Sequence, residues 1–119
     1  MRTRSYRDLT VWRKAMLLAL ESYRVARMLP AHELYGLGRQ VRRAAASVAA
    51  NIAEGYGRLH RGDYLRYLSI ARGSLMELET HIELIRMLEY VGAEELTTIT
   101  KHSDETSRLL TAVIRGLRC

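Results

Sequence analysis

The sequence predicts an all-α protein, an antiparallel up-down four-helix bundle that forms a single domain over residues 1–119. Four segments repeat apolar residues at helical spacing, and short connections containing glycine or proline separate them. No segment alternates apolar and polar residues as a half-buried strand would. Because short connections make consecutive helices antiparallel neighbours, four such helices favour up-down topology. A short basic arm at residues 1–7 precedes the first helix.

The first helix is predicted to begin near Asp8 or Thr10, because either side chain can accept a hydrogen bond from a free backbone N–H. Pro30 follows this helix and cannot continue it. Helical spacing predicts one inward face: Leu9, Trp12, Met16, Ala19, Leu20, Tyr23, Ala26 and Leu29. Trp12 and Tyr23 are accordingly expected in the core rather than at a contact surface.

The second helix is predicted over residues 37–55, and many of its side chains are unusually small. Six of its residues are alanine: Ala44, Ala45, Ala46, Ala49, Ala50 and Ala53. Such small side chains let a helix approach its neighbours closely. Ser47, Asn51 and Glu54 fall at positions i, i+4 and i+7 and share one face. Gly55 is predicted to end the helix in the left-handed conformation that glycine adopts without strain.

The third helix is the longest and is predicted over residues 64–92, after a connection at residues 55–63 that contains three glycines. Its apolar positions keep helical spacing along the whole segment. The fourth helix is predicted over residues 93–117, and threonine and serine dilute its apolar face.

A close crossing of the second and third helices is predicted from Gly73, which lies in the middle of the third helix. Glycine in a helix interior costs about 1 kcal/mol relative to alanine, so its presence suggests that a neighbouring helix needs the space. The alanine-rich face of the second helix is the natural partner. This crossing would bring Ser74 and Glu77 towards Asn51 and Glu54.

The positive charge lies in the first half of the chain. Residues 1–60 carry 11 Lys and Arg against 4 Asp and Glu, whereas residues 61–119 carry 8 against 9. Most of the basic residues are arginine, the type suited to bidentate contacts with phosphate, although a GC-rich genome would produce the same bias. The charge predicts a surface that binds RNA or DNA. The candidate residues are Arg39, Arg42, Arg43, Arg58 and Arg61.

Other interpretations of these residues stay open. Tyr56, Tyr64 and Tyr67 alternate with arginines and could stack on the bases of a single strand. They could equally be core or subunit-interface residues beside a solvated arginine face. The arginines near residue 40 could complement the acidic third and fourth helices, or contact a protein partner.

No pattern for catalysis or for a metal site is present. The histidines His32, His60, His81 and His102 are scattered, without the HExxH or Glu-x-x-His spacing of metal-binding helices. Phosphate-binding loops and nucleophile motifs are absent too, and Cys119 is the only cysteine. We therefore expect no enzyme activity, no metal and no cofactor.

The chain is expected to be cytoplasmic and not bound to a membrane. No run reaches the roughly 18 apolar residues of a membrane span, and the N-terminus lacks the apolar segment of a secretory signal. A single cysteine excludes an intramolecular disulfide, so nothing points to an oxidising compartment.

Four motifs resemble one known family. They are LTVWRKAM at residues 9–16, P-x-x-E-x-Y-G-L at 30–37, QVRRAAASVAANIAEGYGR at 40–58 and YLSIARGSLMELET at 67–80. Together they resemble the four-helix-bundle proteins first met as open reading frames in intervening sequences of bacterial 23S ribosomal RNA genes. The NIAEG and GSLMELE blocks are the specific part of this resemblance.

The resemblance implies an antiparallel four-helix bundle that assembles into a ring-shaped homopentamer, with no established enzyme activity. Members are also similar to the accessory protein of diversity-generating retroelements, a basic pentameric bundle that binds reverse transcriptase and nucleic acid. The positions that match the family motifs are Arg43, Ser47, Asn51, Glu54, Gly55, Gly73, Ser74, Glu77 and Glu79. We interpret five of them, Ser47, Asn51, Glu54, Ser74 and Glu77, as a structural polar cluster, because close packing pairs polar groups reciprocally.

Two functions are consistent with these observations. The first is a non-catalytic homo-oligomer whose basic surface binds nucleic acid. The alternative is a protein-interaction scaffold for a partner enzyme, such as a polymerase or reverse transcriptase, without direct binding of nucleic acid.

Overall fold

The structure, a computed structural model, describes residues 5–118. Residues 1–4 and Cys119 lie outside the described part, and with them most of the predicted basic arm. The elements in chain order are a 3-10 turn Tyr6–Asp8, α1 Thr10–Arg27, a 3-10 turn Ala31–Glu33, α2 Leu37–Tyr56, α3 Arg61–Met87 and α4 Thr97–Arg118. Residues 5–118 include no strand, so the all-α class predicted from the sequence is confirmed.

Consecutive helices run antiparallel, as predicted, and α4 closes the bundle against α1. Lys14 pairs with Glu105 at 2.6 Å and Arg24 with Glu95 at 3.6 Å. Residue numbers therefore increase along α1 in the direction in which they decrease along α4, so these two helices are also antiparallel. Within residues 5–118, the backbone of each helix approaches two neighbouring helices closely, but not the diagonally opposite one. The core therefore lies along the centre of a square of helices.

The face of α1 that enters the core is not the face predicted from the sequence. The buried residues of this helix are Val11, Ala15, Leu18, Ser22, Val25 and Ala26. Of the predicted face, only Ala26 and Leu29 are buried, whereas Met16, Leu20 and Tyr23 are 38, 66 and 41% exposed. The helix has two apolar stripes at the same spacing, and periodicity alone does not say which one packs on α2 and α4.

Neither predicted residue caps α1. Leu9 occupies the N-cap position and its side chain makes no capping hydrogen bond. The chain enters α1 through the preceding 3-10 turn, which Ser5 caps by accepting a hydrogen bond from the Arg7 N–H at 3.0 Å. That turn also takes up the N–H groups of Asp8 and Leu9.

Gly55 serves packing rather than helix termination. It is a buried residue inside α2, which continues to Tyr56, and among residues 5–118 no glycine has a positive φ. An added Cβ at Gly55 would lie 2.7 Å from the Tyr67 Cβ. The predicted left-handed stop is therefore wrong, and the glycine instead permits close contact between α2 and α3.

The connection between α3 and α4 is longer than predicted. α3 ends at Met87, where Glu89 adopts a positive φ of 58° and the Tyr90 N–H donates to the Ile85 carbonyl at 3.2 Å. Val91 and Leu96 of this connection are buried. Apolar residues continue at helical spacing through this segment although it is not helical. For this reason the predicted third helix extended to residue 92.

Candidate nucleic-acid interface

A polar cluster joins α2 to α3 in the middle of the bundle. The Ser47 and Ser74 hydroxyls are hydrogen-bonded at 2.8 Å. The Asn51 side-chain amide donates to the Ser47 carbonyl at 2.8 Å and to the Ser47 hydroxyl at 3.0 Å. Three of the five polar residues that match the family motifs thus lie together, half-buried, and hold one helix against another.

The two carboxylates of that set do not join the cluster. Glu54 is exposed and pairs with Arg58 at 3.0 Å, while Glu77 is exposed and lies 3.4 Å from His81. Gly73 is also exposed, and a Cβ added to it would meet no atom within 4 Å. The predicted contact between α2 and α3 is present at Ser74, but the role predicted for Gly73 in it is wrong. Because successive residues rotate by about 100° on a helix, Ser74 faces α2 and Gly73 does not.

The described residues hold no group of three or more His, Cys, Asp or Glu side chains placed to bind a metal ion. None of the helices within residues 5–118 is long and apolar enough to cross a membrane.

The five predicted arginines do not form one surface. Arg39, Arg42 and Arg43 lie in the first two turns of α2, whereas Arg58 and Arg61 lie beyond its other end. With a rise of 1.5 Å per residue, the two groups are about 25 Å apart along the helix. The two groups therefore lie at opposite ends of α2.

The arginines at the start of α2 differ in whether they have a partner within the chain. Arg42 donates a hydrogen bond to the Leu34 carbonyl at 3.2 Å and so anchors the loop before α2. Arg39 and Arg43 are exposed, and no carboxylate of residues 5–118 pairs with either.

The tyrosines near the α2–α3 turn make contacts with other side chains of the same molecule. Arg58 donates to the Tyr67 hydroxyl at 2.6 Å and stacks over the Tyr67 ring at 4.7 Å, and Arg66 approaches the same ring at 5.5 Å. Tyr56 and Tyr64 pack edge to face with ring centres 6.0 Å apart. Burial raises the pKa of the Tyr64 hydroxyl. This arrangement leaves arginines, rather than aromatic faces, on the surface.

Up-down topology gathers positive charge at one end of the bundle. We call the three segments that meet there, residues 5–13, 54–66 and 108–118, the basic end. They carry eight arginines against three acidic residues, whereas residues 24–43 and 77–101 at the opposite end carry seven basic and seven acidic residues. The sequence analysis missed Arg7, Arg13, Arg108, Arg115 and Arg118, although the predicted topology places their segments together.

An apolar groove, the α1–α2 groove, follows the outer surface between these two helices and encloses about 490 Å³. Its lining residues are Tyr6, Trp12, Met16, Ala19, Leu20, Tyr23, Ala46, Ala49, Ala50 and Ala53. Trp12, which was expected in the core, is half-buried at the wall of this groove. A surface of this composition suits an apolar partner better than a polyanion.

Glu33 ties the two connections at the end opposite the basic end. Its carboxylate accepts hydrogen bonds from the Leu37 N–H and the Tyr90 hydroxyl, each at 3.0 Å. The Leu37 hydrogen bond and then the Tyr90 hydrogen bond lower the pKa of the Glu33 carboxyl, and the latter raises the pKa of the Tyr90 hydroxyl.

Replacing Glu33 by glutamine is expected to destabilise the protein at neutral pH but much less in acid. Because the folded pKa of Glu33 lies below the unfolded value, its stabilisation is complete above the unfolded pKa and is lost as pH falls through the folded pKa. Urea unfolding of the wild type and of Glu33→Gln at pH 7 and pH 3 measures this. Glu94→Gln, at an exposed carboxylate of the same end, is the control. A Glu33→Gln deficit that persists at pH 3 would contradict the assignment.

The family follows from comparison with known proteins. The 23S rRNA-intervening sequence protein family matches residues 7–112 of this chain. The chain belongs to this family. The match extends the resemblance, which covers roughly residues 9–92, through the rest of the α3–α4 connection and into α4.

This family member is also similar to a solved structure. That structure is a protein of unknown function from the S23 ribosomal protein family of Bacteroides thetaiotaomicron. It is 28% identical to this chain with a TM-score of 0.81, and the match covers 88% of this chain and 98% of that one. Comparison with curated proteins gives no match. The comparisons give family and fold.

Proposed function

We propose that this family member is a non-catalytic, cytoplasmic homo-oligomer that binds nucleic acid at the basic end of its bundle. The observation that supports this is the charge of that end, with eight arginines against three acidic residues drawn from three separate parts of the chain. Arginines that neutralise phosphates release the counterions condensed on a nucleic acid, which favours binding. The family resemblance implies five subunits, and a ring would repeat the basic end five times.

The side chains of the basic end favour contacts with phosphate over contacts with bases. Arg61 and Arg66 are exposed, and no carboxylate of residues 5–118 pairs with either. Arg58 is held in place over Tyr67, so its guanidinium loses little freedom on binding. Because arginines already cover the Tyr67 ring, that ring is not available to stack on a base. The expected binding is therefore tolerant of sequence and sensitive to salt.

Neutralising the basic end is expected to flatten the salt dependence of binding. Fluorescence anisotropy with labelled single-stranded RNA, single-stranded DNA and duplex DNA, between about 50 and 200 mM salt, gives the slope of log affinity against log salt. The triple variant Arg58→Gln, Arg61→Gln and Arg66→Gln should reduce the slope for single strands by about 2, since each phosphate contact contributes about 0.7.

The chain provides a matched control for this experiment. The triple variant Arg39→Gln, Arg42→Gln and Arg43→Gln removes the same charge from the other end of α2. It should leave the slope unchanged at protein concentrations where sedimentation shows the same assembly as the wild type. If the slope depends on Arg39, Arg42 and Arg43 instead, the interface lies at the end opposite the basic end and the proposed site is wrong. Absence of binding at low salt would contradict nucleic-acid binding altogether.

The competing function is a scaffold for a partner enzyme such as a polymerase or reverse transcriptase. The α1–α2 groove favours it, because a long apolar groove fits a helix from another protein. This function predicts a co-purifying protein whose retention does not weaken with salt, together with no binding of nucleic acid by the purified protein.

A further inference from the structure

The outer groove between α3 and α4, which we call the α3–α4 groove, changes charge along its length. Ser103 donates to the Glu79 carboxylate at 2.8 Å and so fixes which parts of the two antiparallel helices face each other. Residues 77–105, from this contact to the α3–α4 connection, hold eight Asp and Glu against two Lys and Arg. Residues 64–76 and 106–118, on the other side of the contact, hold five arginines and no acidic residue. One half of the groove is therefore acidic and the other half basic.

The acidic half encloses a polar cavity of about 260 Å³. Its lining includes the carboxylates of Glu79, Glu83 and Asp104, together with Arg86, which pairs with Glu83. The excess of negative charge repels a polyanion. A nucleic acid that follows the groove from the basic end therefore meets a barrier at this cavity.

The basic half continues the two stripes of side chains that line the cavity. Arg72 lies seven residues before Glu79 on α3, and seven residues turn a helix through about 700°, so the two side chains point within about 20° of each other. On α4, Arg108 and Arg115 follow Asp104 by four and eleven residues and point within about 40° of it. All three arginines are exposed. They therefore flank the groove on both sides.

The three arginines also lie close together along the bundle axis. Because α3 and α4 are antiparallel, seven residues back from Glu79 on α3 correspond to seven residues forward from Ser103 on α4. Arg72 is thus level with residue 110, between Arg108 and Arg115. With a rise of 1.5 Å per residue, the three positive charges fall within about 11 Å along the groove.

These charges are available to a ligand. Arg72 and Arg115 form no ion pair among residues 5–118. Arg108 lies near Glu105 and contributes to lowering the pKa of that carboxyl, but the main cause is the Lys14 hydrogen bond. Lys14 holds the Glu105 carboxylate at 2.6 Å. Three closely spaced arginines with so little neutralisation form a surface suited to phosphates.

The shape of the groove favours a single strand over a duplex. Packed helices lie about 8–10 Å apart, so the groove is narrower than even the major groove of B-DNA, which is about 12 Å wide. The backbone of one strand fits such a groove, and the half-buried hydroxyls of Ser107 and Thr111 can contact it. Residues 68–76 and 106–118 contain no aromatic residue, so nothing there stacks on a base.

We propose that a single strand of nucleic acid lies with its phosphate backbone along the basic half of the α3–α4 groove and turns away where the acidic half begins. Arg72, Arg108 and Arg115 bind its phosphates. Because contacts with phosphate carry no information about the sequence, strands of RNA and of DNA bind alike. The inference rests on the proposed function and deepens it, since it names the form of nucleic acid and the groove that holds it.

Paired arginine variants test the position of the strand. Fluorescence anisotropy on Arg72→Gln with Arg115→Gln should show a salt slope for single-stranded RNA and DNA reduced by about 1.4, at about 0.7 for each phosphate contact. Arg39→Gln with Arg43→Gln is the matched control, because these arginines are also exposed and also lack a carboxylate partner among residues 5–118. It should keep the wild-type slope. Single strands should bind more tightly than duplex DNA of the same length.

The failure of this inference is distinguishable from failure of the proposed function. If Arg72→Gln with Arg115→Gln keeps the wild-type slope while the triple variant at residues 58, 61 and 66 loses it, the groove is wrong and the proposed function stands. Tighter binding of duplex DNA would also overturn the inference alone. A wild type that binds no nucleic acid at low salt would overturn both.

Reversing a charge in the acidic half tests the path in the opposite sense. Asp104→Lys extends the basic stripe of α4, so it should tighten the binding of a single strand of about 16 nucleotides and steepen its slope by about 0.7, while a strand of about 4 nucleotides gains much less. Glu94→Lys makes the same change of charge at an exposed position of the α3–α4 connection outside the lining of the groove. An equal gain for the two variants would show an effect of net charge and would overturn the proposed path.

Discussion

Replacing Gly55 by valine is expected to destabilise the bundle by about 3 kcal/mol, the upper range for overpacking a core. A Cβ at this position would lie 2.7 Å from the Tyr67 Cβ, 3.1 Å from the Tyr64 ring and 3.3 Å from the Tyr64 carbonyl oxygen. None of these atoms sits at the end of a flexible side chain, so α2 and α3 must move apart. That movement would also strain the neighbouring Ser47–Ser74 hydrogen bond.

Gly57→Val provides the control, because the nearest atoms to its added Cβ lie at 3.5 Å or beyond. Urea unfolding followed by circular dichroism gives both free energies. Gly55→Ala, which adds one carbon, should fall between the wild type and Gly55→Val and keeps the test informative if the valine variant does not fold. Equal losses for the two valine variants would show that close helix contact at Gly55 is not responsible.

Truncation of Leu78 to alanine is expected to cost about 2–5 kcal/mol, the range for buried leucine. Leu78 is fully buried on α3, where rigid helices on both sides limit collapse around the cavity. Leu59→Ala, at a position that is 95% exposed, should change stability by no more than about 0.5 kcal/mol. Thermal and urea unfolding of both variants measures the difference. A small loss for Leu78→Ala would indicate that the centre of the bundle repacks.

The helices were predictable from the sequence because they rest on local information. α2 begins at residue 37, as predicted, and the contact between α2 and α3 follows from the alanine run and Ser74. The face of α1 was not predictable, because Leu18 and Leu20 belong to two stripes with the same spacing. Leu18 rather than Leu20 is buried because α4 packs on that side of α1. Where α4 packs depends on the assembled bundle and not on the local sequence of α1.

Predicting the candidate interface requires the topology of the bundle as well as the composition of the chain. Counting charges by halves of the chain grouped Arg39 with Arg58, which α2 in fact separates by most of its length. The true concentration of charge includes Arg108 and Arg115 from the less basic half, which reach the same end only because α4 runs back towards the start of α1. The same topology separates the exposed arginines of residues 24–43 from the basic end.

The Glu33–Tyr90 hydrogen bond has a kinetic consequence. It joins positions 57 residues apart in the sequence, whereas most contacts of an antiparallel bundle form between helices that follow one another. Chains with local contacts fold quickly, and distant ones must wait for the loop between them to close. The Arg24–Glu95 hydrogen bond between α1 and the start of α4 joins positions 71 residues apart. Both of these distant contacts are therefore expected to form after the contact between α2 and α3, which follow each other in the chain.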